Sequence, residues 1–164
     1  FVTGHSNGAG MTFLLGAKLP ERFQALAPVA GMMAVSRPKP SKPLPTLYII
    51  GTKDPLQPLD GGPVKLPWGD RVNPPVSKYL TDWAEAIHCQ TDAKVLSDKD
   101  GLKTVEYPSR SSGPSLKVIF IEGQGHGWPG ARDAGLPRST IGPSVNTLHA
   151  SDAIWNFFKD VGHL

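Results

Sequence analysis

The sequence predicts an α/β fold with a mostly parallel sheet flanked by helices, and three observations predict it. Short apolar runs at residues 26–30, 46–50 and 116–122 each close on a glycine, as strands buried on both faces do. Helical patterns precede the first of these runs, separate the second from the third and follow the last. The chain also opens on a strand, a sharp turn and a helix in immediate succession, the connection typical of a parallel sheet.

Each element has its own signal. Phe1, Val2 and Thr3 are β-formers, and from Met11 the spacing turns helical, with Met11, Leu14, Leu15 and Leu19 on one face until Pro20 stops the helix. Leu26 to Ala30 reads as a short strand. Pro38, Pro40 and Pro43 leave little room for a helix before the next strand, Thr46 to Ile50. Gly61 to Pro75, rich in Gly and Pro, reads as a long surface loop. Val76, Tyr79, Leu80, Trp83, Ala84 and Ile87 then recur at helical spacing, a stripe that core packing explains fully. Lys103 to Tyr107 adds a short strand and Leu116 to Glu122 a longer one. Ala150, Ala153, Ile154, Phe157, Phe158 and Val161 mark a C-terminal helix with one apolar face. With no internal repeat and no linker, residues 1–164 are expected to form one domain.

Composition bounds the function. Hydrophobic residues make up 39% of the 164, enough for a core, and the formal charge of +3 is scattered. Arg37, Lys39 and Lys42 cluster in a proline-rich stretch that reads as a solvated loop, so no nucleic-acid partner is expected. No apolar run approaches the length of a membrane span, and no membrane partner is expected. Cys89 is the one cysteine, which excludes an internal disulfide and suits a buried, inert thiol.

Chemistry concentrates in three loops. Gly4-His5-Ser6-Asn7-Gly8 matches G-x-S-x-G, in which a serine is held in a strained strand-to-helix turn with its hydroxyl exposed. A serine nucleophile needs a base and a group to orient it. Asp54 lies just past the strand ending at Ile50, and His126 lies in the glycine-rich loop after Glu122. Loops at the carboxyl ends of parallel strands share one crevice, so Ser6, Asp54 and His126 are expected to converge, in the chain order that accompanies G-x-S-x-G. Asp60 and Asp70 lie deeper in their loop and read as turn aspartates. His88 reads as a helix cap or solvent-facing residue, and His149 and His163 flank the last helix. His5 adjoins the nucleophile, where a structural or pocket-lining role fits better than that of base. The Asn7 backbone amide is placed to donate to an oxyanion. Trp128 beside His126, and Trp68 in the long loop, are candidate stacking surfaces for substrate. No histidine pair has metal-ligand spacing, and neither metal nor other cofactor is expected.

Taken together, Gly4 to Gly8, the Gly51-Thr52-Lys53-Asp54-Pro55 turn with Gly61-Gly62 after it, Gly125-His126-Gly127-Trp128-Pro129-Gly130, and Ala150 to Phe158 resemble the polyhydroxybutyrate depolymerase-like esterases, a group related to feruloyl and acetylxylan esterases. The resemblance implies an α/β-hydrolase fold and ester hydrolysis without a cofactor, often in secreted or periplasmic proteins. It implies Ser6 as nucleophile, His126 as base and Asp54 as its orienting acid, with a polyester, feruloyl ester or acetyl ester as substrate. A family member has about a hundred residues before the serine turn, including strands and a second oxyanion donor, so the chain is expected to correspond to the C-terminal part of such an esterase. The strand edge so left bare is expected to be covered by self-association or a second chain. Two other classes share part of this pattern: a serine peptidase of the prolyl-oligopeptidase type, and a catalytically weak truncated remnant.

Overall fold

In the structure of the chain, a computed structural model describing residues 1–66, 69–131 and 137–162, the opening strand β1 (Val2–His5) pairs in parallel with β2 (Leu26–Val29). β2 pairs in parallel with β3 (Thr46–Gly51), and β3 with β8 (Leu116–Ile121). Val2, Leu26, Thr46 and Leu116 stand level in register, so the four strands end at one edge. Beyond β8 the sheet continues with two antiparallel pairings, to β7 (Leu102–Tyr107) and then β6 (Lys94–Lys99), giving the order β1-β2-β3-β8-β7-β6. This is an α/β fold with a mostly parallel six-stranded sheet.

Helices cover both faces. α1 (Asn7–Lys18) and α2 (Val76–Ala86) pack on one face, where Phe13, Leu26, Tyr48, Leu80 and Trp83 form a buried cluster. α4 (Ala150–Gly162) covers the other face with Ala150, Ile154 and Phe158, against Val29, Leu47 and Ile49. Every residue of β2 and β3 is buried. Two apolar faces are what permit their uninterrupted apolar runs. A polar contact is built into this core, where Trp83 Nε1 donates to Thr46 Oγ1 at 2.9 Å.

Two expectations change, and two elements carry no signal in the sequence. The helix begins at Asn7 rather than near Met11, and its buried face is Ala9, Gly10, Thr12, Phe13, Gly16 and Ala17. Met11 and Leu19 are half exposed, at 52% and 50%. Small side chains let α1 lie close to the sheet, with Phe13 the one large side chain on that face, and Met11 turns outward. Residues 61–75 are not simply a loop: β4 (Gly62–Val64) and β5 (Arg71–Asn73) form an antiparallel pair with Val64 and Asn73 buried. Finally, β6 carries no apolar alternation and is mostly exposed, with Lys94 and Lys99 at its ends, as suits an edge strand. A short helix, α3 (Arg138–Ile141), also escapes the sequence pattern; it buries Ile141 alone.

The serine turn depends on glycine at one of its two positions. A Cβ on Gly4 would lie 2.3 Å from the Gly8 carbonyl oxygen and 2.9 Å from Thr12 Oγ1, whereas a Cβ on Gly8 would meet nothing within 4 Å. Gly4→Ala must therefore push α1 off β1 and is expected to destabilise the fold by about 2 kcal/mol or more, as overpacking does. Gly8→Ala, within α1, is expected to be neutral or stabilising by up to about 1 kcal/mol. Urea denaturation of the two variants checks this, and equal losses would contradict it.

Candidate active site

Ser6 sits between β1 and α1 at φ 56° and ψ −117°, a left-handed conformation that costs a non-glycine residue about 1–3 kcal/mol. Surrounding contacts hold it there: Ser6 N donates to Val29 O at 2.9 Å, and Ser6 O accepts from the amides of Ala9 and Gly10. Asn7 follows as the first residue of α1, ahead of any acceptor within the helix, which leaves its amide free to face a ligand.

Asp54 comes from the turn after β3 and is buried. Its Oδ1 accepts from the amides of Leu56 and Gln57, each at 2.8 Å, so the turn itself solvates the carboxylate. His126 comes from the loop after β8. That loop is stitched to the segment holding α3 by Gly125 N to Pro143 O at 2.7 Å and His126 N to Ile141 O at 2.6 Å. It is tied to the Asp54 turn by Lys53 N to Gln124 O at 2.9 Å.

The three side chains form one hydrogen-bonded chain. His126 Nδ1 lies 2.8 Å and 3.0 Å from the two Asp54 carboxylate oxygens, and Nε2 lies 2.7 Å from Ser6 Oγ. A neutral imidazole satisfies both contacts in one tautomer: Nδ1–H donates to the carboxylate, and Nε2 accepts from the serine hydroxyl. Such an arrangement is able to draw the hydroxyl proton onto the imidazole as the oxygen attacks an acyl carbon.

The remaining predicted residues take distinct places. His5 Nε2–H donates to the His126 carbonyl at 2.5 Å, and its ring lies 5.0 Å from that of His126. Its polar contact therefore supports the histidine loop from below. Trp128 is half buried, with its indole 6.2 Å from His5 and Nε1 donating to Ser151 Oγ at 3.2 Å. Trp68 lies outside the described residues. Asp60, Asp70 and His88 are exposed. Cys89 is buried, and desolvation pushes its thiol pKa up. Among the described residues, no cluster of His, Cys, Asp or Glu is arranged to hold a metal ion, and no helix is long and apolar enough to cross a membrane.

Two supports escaped the sequence pattern. Gln124 is fully buried, its Nε2 donating to Gly127 O at 3.1 Å and its Oε1 accepting from Val145 N at 3.0 Å, so it props the His126 loop from within. Its one sequence signal is an amide side chain in an otherwise glycine-rich loop. Tyr48 and Tyr79 share a hydroxyl–hydroxyl contact of 2.8 Å, and Tyr48 donates to Gly31 O at 3.0 Å, fixing the loop after β2. Burial pushes both phenols well above their ordinary pKa, which keeps them neutral.

A cavity of about 600 Å³ opens over Ser6, Asn7 and His126, with His5 among its lining residues and Met32 and Leu56 among its apolar walls. No protein-family model matches the chain. Among known proteins it is similar to "Putative esterase NocK" of Nocardia uniformis subsp. tsuyamanensis, 27% identical over 96% of this chain and 50% of that protein. It is also similar to "Probable feruloyl esterase C" of Aspergillus terreus, again 27% identical, over 96% of this chain and 48% of that protein. The chain thus spans about half the length of the curated relatives it matches. Both relatives carry esterase names.

His5 supplies a pH handle on this region. Burial lowers its pKa below the ordinary 6.5, so the folded state holds it neutral. As pH falls through 6.5 the unfolded chain binds the proton first, and stability present above that pH is lost below it. His5→Gln keeps a donor for the His126 carbonyl without the titration, and is expected to flatten part of the drop. Urea midpoints on either side of pH 6.5 check this; an unchanged slope in His5→Gln would rule it out.

Proposed function

We propose that the chain is the catalytic-triad part of a serine esterase of α/β-hydrolase type, with residues 1–164 belonging to one such domain. The observation that carries this reading is the unbroken hydrogen-bonded chain Ser6 Oγ, His126 Nε2, His126 Nδ1 and Asp54. His126 removes the Ser6 proton as Oγ attacks the ester carbonyl, and then protonates the departing alcohol. Asp54 holds the imidazole in the required tautomer and stabilises its charged form. The Asn7 amide donates to the oxyanion. Water, activated by the same imidazole, then hydrolyses the acyl-enzyme. No step calls on a cofactor.

The resemblance to polyhydroxybutyrate depolymerase-like and feruloyl esterases, together with the feruloyl esterase named among the relatives, supports a polyester, feruloyl or acetyl ester as substrate. A secreted or periplasmic location belongs to the same reading. Ser6→Ala is expected to reduce hydrolysis of a short p-nitrophenyl ester to background, on the order of 10⁴-fold or more, and to abolish labelling by a fluorophosphonate probe. Activity and labelling retained in that variant would reject the assignment.

Cover for the edge strand β1 is part of the same proposal. β1 ends the sheet and its strand is only partly buried, while Phe1, Met11 and Leu19 expose apolar surface nearby in sequence. Sedimentation velocity is expected to show association that grows with concentration. A strictly monomeric species at high concentration would contradict a second copy as the cover.

A further inference from the structure

The described lining of the cavity over Ser6 includes one cation. Among the described residues that line it, Arg71, on β5, is the single lysine or arginine, and none is an aspartate or glutamate. The other walls include Met32, Ala34, Leu56 and Leu66, all apolar. Among the described residues Arg71 makes no ion pair; its one side-chain contact is Nη2 donating to Leu56 O at 3.0 Å. Asn73 Nδ2 donates to the same carbonyl, also at 3.0 Å. The β4–β5 pair is thereby fastened to the Asp54 turn, and the guanidinium is fixed at the cavity with most of its five N–H donors uncommitted. The Asp54 carboxylate has its own partners, two amides and the His126 imidazole.

Arg71 is exposed, so water serves its remaining donors until an anion in the cavity replaces it. A guanidinium presents parallel N–H donors that fit a carboxylate in two-point contact, a geometry an ammonium does not offer. Resting on the esterase reading above, we propose that Arg71 makes this site selective for esters that carry a second, ionised carboxylate remote from the scissile carbonyl. The apolar walls hold the connecting carbon chain, the triad faces the ester, and Arg71 receives the free acid.

Two matched pairs of substrates test this on the whole chain. The p-nitrophenyl monoester of glutaric acid is compared with p-nitrophenyl pentanoate, which places the charge on the acyl side. The acetyl ester of 4-hydroxybenzoic acid is compared with 4-methylphenyl acetate, which places it on the alcohol side. In Arg71→Gln, kcat/KM for the carboxylate-bearing member of at least one pair is expected to fall about five- to tenfold, through KM, while its neutral partner changes by less than about twofold. Arg71→Lys is expected to keep part of the preference, and added salt to shrink it in the native chain but not in Arg71→Gln. Equal losses on charged and neutral members would make Arg71 a mere fastening for the β4–β5 pair and overturn the proposal, as would unaltered ratios in both pairs. Absence of hydrolysis together with absence of fluorophosphonate labelling would overturn the esterase reading, and this inference with it.

Discussion

Level parallel pairing of β1, β2, β3 and β8 is the constraint on which the rest of the molecule depends. Because Val2, Leu26, Thr46 and Leu116 share a register, the chain leaves three of these strands at one edge, with Ser6, Asp54 and His126 a few residues beyond. Parallel strands need crossover connections, and those connections lay α1 and α2 against one face of the sheet. The second face is closed by α4. The position of the site thus follows from backbone pairing and apolar cover, before any side chain of the site makes a contact.

Holding a carboxylate and a strained serine at such an edge carries a cost that neighbouring groups offset. Asp54 is removed from water, and two amides of its own turn plus the imidazole replace the lost hydration. Ser6 stays in a left-handed conformation because its carbonyl accepts from the first turn of α1 and its amide is held by β2. His126 rests on a loop braced from three directions, by the α3 segment, by Gln124 and by His5. Rigidity of this kind matters because proton transfer between hydroxyl and imidazole needs hydrogen-bond contact in the right alignment.

The β4–β5 pair gives the cavity its individuality. It arises from a stretch whose glycines and prolines suggest nothing but a loop, yet Asn73 and Arg71 both fasten it to the carbonyl of Leu56, two residues from Asp54. The wall of the site is therefore coupled directly to the turn that holds the acid.

Local sequence was enough to mark the serine turn, the buried strands, the apolar stripe of α2 and that of α4, since each is a property of neighbouring residues and their period. It also placed Ser6, Asp54 and His126 after strands expected to run parallel, so their approach was legible once the sheet was. Which face of α1 is buried was not, because the answer lies in how closely small residues let the helix sit on β2, and Met11 and Leu19 lost to Gly10, Gly16 and Ala17. The exposed edge strand β6 had no period to show, since burial is what writes a period into a strand. Gln124, His5 and Arg71 owe their places to carbonyls distant in the chain or brought near by folding, those of His126, Gly127 and Leu56. A hydrogen bond between such groups leaves no pattern in one dimension, and only the folded chain decides it.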